Sequence, residues 1–116
     1  MAVIFALSSM ARLPEPPAGL NDRGAHMIEY GGLALLTLRA LAAGRWSEVR
    51  LPIAIGAVVI AVAYGFTDEV HQVFVPGRQC DLRDLAADAA GAGIAAAALW
   101  TWGIIRRLLR PSSTRA

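Results

Sequence analysis

The chain has 116 residues, of which 56% are hydrophobic and 17% charged, with a mean hydropathy of +0.49. That balance is too apolar for most soluble domains of this size and points to an integral membrane protein with the lipid bilayer as its first partner. The net charge of +2 comes from arginines dispersed over loops and the C-terminus, which excludes nucleic acid as an expected partner, and the single cysteine, Cys80, excludes an intramolecular disulfide and a cysteine-based metal site.

The N-terminal stretch "MAVIFALSSM" is about half the length of a span, which needs about 20 residues to cross roughly 30 Å of hydrocarbon. Arg12 and the proline-rich "LPEPP" end it, and no basic segment precedes it as in a secretory signal. Two readings follow, a half-length hydrophobic stub or, as the favoured expectation, a partial first span truncated because its true start lies upstream of Met1. Residues 26–44 form the next span, with His26 and Glu29 at one end and Arg39 near the other, where a long side chain can snorkel to the interface. Residues 51–67 carry no charge and continue apolar through Val70, Val73, Phe74 and Val75 until Pro76 and Gly77 stop the helix. Residues 89–105 are also uncharged, and their helix starts near Asp84, which places Asp88 about one turn inside the apolar segment. The expected fold is all-α: an integral membrane helical bundle of three full spans plus the partial N-terminal one, forming a single domain over residues 1–116.

Cytoplasmic loops retain arginine. One side of this arrangement receives Arg39, Arg45, Arg50, Arg106, Arg107, Arg110 and Arg115; the other receives Arg12, Arg23, Arg78 and Arg83, mixed with Glu15, Asp22, Asp68, Glu69, Asp81 and Asp84. The bias puts the C-terminus in the cytoplasm and the polar clusters of residues 21–30 and 68–84 at the outer face. On helices, His26, Glu29 and Tyr30 share a face, as do Asp68, His71 and Gln72, and as do Asp84, Asp88 and Gly91. Three polar helix ends therefore reach one membrane surface. Carboxylates there need partners or a wet cavity, and Arg78, Arg83 and Arg23 are the expected partners of Asp68, Glu69 and Asp88. Gly91 and Ala95 continue the Asp84 and Asp88 face as a small-residue strip suited to close helix packing, and the alanines and glycines of residues 86–98 are the candidate contact for a homo-oligomer.

The stretches "DRGAHMIEYGGLALL" and "DEVHQVFVPGRQCDLRDLAADAAGAGIA" resemble the VanZ-like family, named for a membrane protein that accompanies a glycopeptide-resistance cluster and raises teicoplanin resistance. The pattern as it stands here is Asp22, Arg23 where Lys is commoner, His26 and Tyr30; then Asp68, Glu69, Gln72, Pro76, Gly77 and Arg78; then Asp84, Asp88 where Asn is commoner, and Gly91. "FALSS" resembles the end of the family's first span, so the likeness covers nearly the whole chain. It implies four spans with both ends in the cytoplasm of a bacterial plasma membrane. Arg23 keeps the charge but changes its geometry, and Asp88 adds a negative charge that calls for an extra cation or a proton.

The resemblance supplies no mechanism, so the residues are weighed by their chemistry. As a binding site for a lipid-linked envelope precursor or a lipoglycopeptide, Arg78 would clamp phosphate or carboxylate, while Gln72 and the carboxylates would accept amide and hydroxyl donors. As an intramembrane enzyme, Asp68, Glu69, Asp84 and His26 would supply acid and base, or oxygen and nitrogen ligands. The spacing matches no recognised metal motif, so no metal and no cofactor is expected; no Ser or Cys nucleophile is paired with a histidine. Transport would require an oligomer. The remaining alternative is a purely structural ion-pair network that pins the loop to the helix ends. The residues assigned to binding or to this network are Asp22, Arg23, His26, Tyr30, Asp68, Glu69, Gln72, Arg78, Asp84 and Asp88.

Overall fold

The computed structural model describes residues 22–110, without the side chain of Asp22. The expected partial first span lies outside the described residues. Among them are three α-helices and no strand: α1, Asp22–Leu41; α2, Leu51–Gln72; and α3, Leu82–Leu108. They run up, down and up.

α1 begins four residues before the apolar run and stops at Leu41, three residues short of the expected end. The stop is made by backbone geometry: Ala43 (φ 50°) and Gly44 (φ 72°) turn left-handed, and the Gly44 N–H donates to the Arg39 carbonyl at 2.9 Å. A single 3-10 turn, Trp46–Glu48, leads into α2, whose first turn accommodates Pro52 because the first N–H groups of a helix need no intrahelical acceptor. α2 ends at Gln72, earlier than the apolar pattern through Val75 suggested, and residues 73–77 form turns closed by Gly77 at φ 82°. α3 is capped by Asp81, whose carboxylate accepts the Arg83 N–H at 2.8 Å, and it closes with Arg106 and Arg107 near its carbonyl end.

α2 and α3 are long and apolar enough to cross a membrane; at about 1.5 Å per residue, their 22 and 27 residues match or exceed a bilayer core. α1 has 20 residues but carries Asp22, Arg23, Glu29 and Arg39. The bundle is held by small residues inside and leaves large ones outside. Gly31 and Gly91 bring α1 and α3 together: a Cβ on Gly91 would lie 2.8 Å from the Met27 Cα, and one on Gly31 would lie 3.3 Å from the Gly91 carbonyl oxygen. Ala34, Ala57, Ala61, Ala92 and Ala96 are buried in the bundle, whereas Ile28, Leu36, Ile55, Val59, Phe66 and Ile94 are exposed. This inversion of the soluble pattern suits a bundle solvated by lipid, where close backbone approach replaces the hydrophobic effect as the source of helix attraction.

The two ends of the bundle differ. At one end Leu38, Ala42, Val49, Ala54, Ala57 and Ala96 pack with Trp46 and Trp100, and Arg107 ties α3 to the linker by donating to the carbonyls of Ser47 and Val49. At the other end the apolar layer of Tyr30, Leu33, Ala34, Ala61 and Ala92 gives way to charge.

Candidate functional site

The up-down-up order places the N-terminal turns of α1 and α3 beside the C-terminal turns of α2. His26 and Tyr30 come from α1, Asp68, Glu69 and Gln72 from α2, and Asp88 from α3, and all six are buried. The sequence expectation of three polar helix ends meeting at one place holds in this geometry.

Contacts within the cluster are short and specific. His26 Nδ1 lies 2.9 Å from Asp88 Oδ1, with both side chains almost fully enclosed. The His26 ring also stacks on Tyr30, one turn along α1, and Tyr30 in turn faces Tyr64 of α2. Gln72 Nε2 donates to Asp68 Oδ2 at 3.3 Å across one turn of α2. Glu69 Oε2 accepts the Asp81 N–H at 3.0 Å, fixing the α2–α3 loop to the cluster and holding the cap residue of α3 in place. One further oxygen on each of Asp68, Glu69 and Asp88 (Oδ1, Oε1 and Oδ2), together with the Tyr30 hydroxyl, is buried without a hydrogen-bond partner.

The arginine partnerships expected from sequence are not those formed. The buried Asp88 pairs with His26, and neither Arg78 nor Arg83 makes an ion pair among the described residues. Arg83 is exposed and contributes only its backbone N–H to Asp81; Arg23, with its side chain half-exposed, approaches Asp84 at 4.0 Å. The physical reason is reach. α1 crosses α3 so closely at Gly91 that the imidazole of His26, rather than a longer side chain from the loop, fills the space beside Asp88. Arg78 is half-buried in the loop that closes this end. Glu29 and His71 are half-buried, and Asp22 opens α1.

Sequence reasoning missed Gly65. A Cβ there would lie 2.9 Å from Asp88 Oδ2 and 3.2 Å from the Tyr30 ring, so its hydrogen side chain makes the room in which Asp88 and Tyr30 sit. The available signal was its position one turn before Asp68 and Glu69 on α2. Asp81 was also missed, because its part is played by a backbone N–H.

Chemically, the cluster combines an oriented imidazole with three carboxylates. One ligating atom from each of His26, Glu69 and Asp88 lies within 4.8 Å of the others. Cys80 is exposed at the rim; local desolvation and then the neighbouring Glu69 carboxylate push its thiol above its ordinary value.

No curated protein and no solved structure matches the chain. The family model described as VanZ/LLP1 matches residues 15–106, which include both candidate spans up to residue 106 and every residue of the buried cluster. The apolar helices and this match agree, and the chain belongs to the VanZ/LLP1 family of membrane proteins.

Proposed function

We propose that this membrane protein binds the polar head of a cell-envelope molecule, a lipid-linked precursor or a lipoglycopeptide of the teicoplanin kind, in the chamber formed by His26, Tyr30, Asp68, Glu69, Gln72 and Asp88. The observation that carries this reading is the set of unpartnered buried oxygens on Tyr30, Asp68, Glu69 and Asp88. A purely structural network would satisfy its own members, because each buried polar group left alone costs about 1–3 kcal/mol. Carboxylate oxygens accept, so the missing partners are hydroxyl, amide or ammonium donors of the sort sugars and peptides carry. Arg78, half-buried and without an ion pair among the described residues, is suited to a phosphate or carboxylate on the same ligand. An acyl chain would lie along the exposed apolar faces of α2 and α3.

The arginine bias supports an outer-leaflet position for the chamber and a cytoplasmic C-terminus in a bacterial plasma membrane. Ala90 and Ala97 face outward on α3 and would serve a second copy, a contact that cross-linking in native membranes tests.

Asp68→Ala and Arg78→Ala are expected to insert normally in the membrane yet lose both protection against teicoplanin in a susceptible host and capture of a lipid-linked precursor by the purified protein in nanodiscs. Unchanged susceptibility and capture in both variants would refute the reading.

The His26–Asp88 pair favours a second reading, an intramembrane hydrolase. Asp88 orients the imidazole and Glu69 offers a second acid or base, with water as nucleophile. Turnover of lipid-linked precursors in micelles, abolished by His26→Gln with binding retained, tests it; no turnover by the wild-type protein leaves binding alone.

A further inference from the structure

We infer that the buried cluster is a divalent transition-metal site, with Glu69, Asp88 and a ring nitrogen of His26 as protein ligands. The inference rests on the reading of this cluster as a ligand site and specifies what occupies its innermost part.

Three observations converge. The first is donor placement: the ligating atoms of these three side chains, on three different helices, lie within 4.8 Å of one another. Metal–ligand distances of about 2.0–2.2 Å in a tetrahedral site put ligand atoms about 3.4 Å apart, so a contraction of order 1 Å by side-chain rotation closes the site. The second is unspent valence. Asp88 is 1% exposed and Glu69 2%, and each keeps one buried oxygen with no hydrogen-bond partner. Asp68, 5% exposed, holds a further such oxygen and lies close enough to act electrostatically on Asp88. The third is accommodation: a Cβ on Gly65 would lie 2.9 Å from Asp88 Oδ2, so the hydrogen side chain of Gly65 is what admits the Asp88 carboxylate among the donors.

Charge decides between a metal and a closed hydrogen-bond network. Asp68, Glu69 and Asp88 are enclosed together, and the imidazole of His26 is the only basic side chain paired with them among the described residues. Carboxylates gathered within a bilayer-spanning bundle are costly unless balanced, and a dication balances two of them at once. A mixed imidazole and carboxylate set suits zinc, manganese or iron; magnesium and calcium prefer oxygen alone.

The test uses the full chain in nanodiscs with any affinity tag removed. Equilibration with Zn2+ alone, followed by desalting and elemental analysis, is expected to leave about one ion per chain. Co2+ alone should give visible absorption bands of a low-coordinate site that Zn2+ displaces. Glu69→Gln and Asp88→Asn keep shape and remove ligand charge; each should weaken Zn2+ binding by at least about tenfold, while Glu48→Gln at the opposite end changes nothing. Sub-stoichiometric metal in the wild-type protein, equal binding by the two variants, or a preference for Mg2+ or Ca2+ over Zn2+ would overturn the inference. Precursor capture measured after chelation separates it from the broader reading. Capture without any metal binding sinks the metal alone, and metal binding without capture sinks the envelope ligand alone.

Discussion

His26 and Asp88, 62 residues apart in the chain, meet at 2.9 Å inside the bundle and tie the start of α1 to the start of α3. Removing one partner of a buried pair is expected to cost more than the pair contributes, because the enclosed imidazole loses its carboxylate. Asp88→Ala should therefore destabilise the purified protein by about 3 kcal/mol or more. Asp88→Asn should lose less, since its amide oxygen can still accept from the imidazole. Thermal unfolding in micelles, followed by tryptophan fluorescence, ranks the two. Equal stability of Asp88→Ala and the wild type would show that the contact is not maintained.

The crossing that permits this contact depends on Gly91. A Cβ there would collide with the Met27 backbone, which cannot rotate away as a side chain can. Gly91→Ala is expected to separate α1 from α3 and to cost at least about 2 kcal/mol, in the range of severe overpacking. Gly93, two residues on, has nothing within 4 Å of its Cβ position, and Gly93→Ala should be neutral or slightly stabilising. Size-exclusion profiles after a heating series compare the two; matching behaviour would contradict the packing described.

Much of this fold was legible because lipid imposes simple rules. Uncharged runs marked α2 and α3, and the three-and-four spacing of His26 with Tyr30, Asp68 with Gln72, and Asp84 with Asp88 marked the faces that meet. The small-residue face was legible too, with Gly91 buried and Ala95 touching the Gly31 position. The partners were not. A sequence shows that Asp88 needs a cation but not which one arrives, and the helix crossing at Gly91 gives His26 the place that charge alone assigned to an arginine. The Glu69–Asp81 bond is hidden for a different reason, because a backbone N–H is present at almost every residue and only the path of the loop selects one.

Arg107 fastens the opposite end by donating from one guanidinium nitrogen to the carbonyls of Ser47 and Val49, at 3.2 and 2.9 Å. Arg107→Ala should free the linker between α1 and α2 and cost about 1–3 kcal/mol, the range for hydrogen bonds made by a charged group. Arg106 lies 5.8 Å from the Trp102 ring on the exposed surface, so Arg106→Ala should cost about 1 kcal/mol or less. Limited proteolysis of the linker distinguishes them: faster cleavage in Arg107→Ala alone is the expected result, and equal cleavage in both variants would contradict the tie.

Cys80 reports on both topology and chamber. It is exposed, and it is the sole cysteine, so a membrane-impermeant maleimide applied to intact cells should label it if the chamber opens outward. Labelling only after permeabilisation would invert the proposed orientation. The rate carries separate information. The thiolate is the reacting form, and local desolvation together with the Glu69 carboxylate pushes the Cys80 thiol up, so less thiolate is present near neutral pH than for a free cysteine. Labelling of purified protein should therefore be slower than that of a small thiol at pH 7 and rise about tenfold per pH unit until the thiol titrates. Glu69→Gln removes the nearby negative charge and should move that rise to lower pH. An unchanged profile in this variant would show that the carboxylate does not act on the rim.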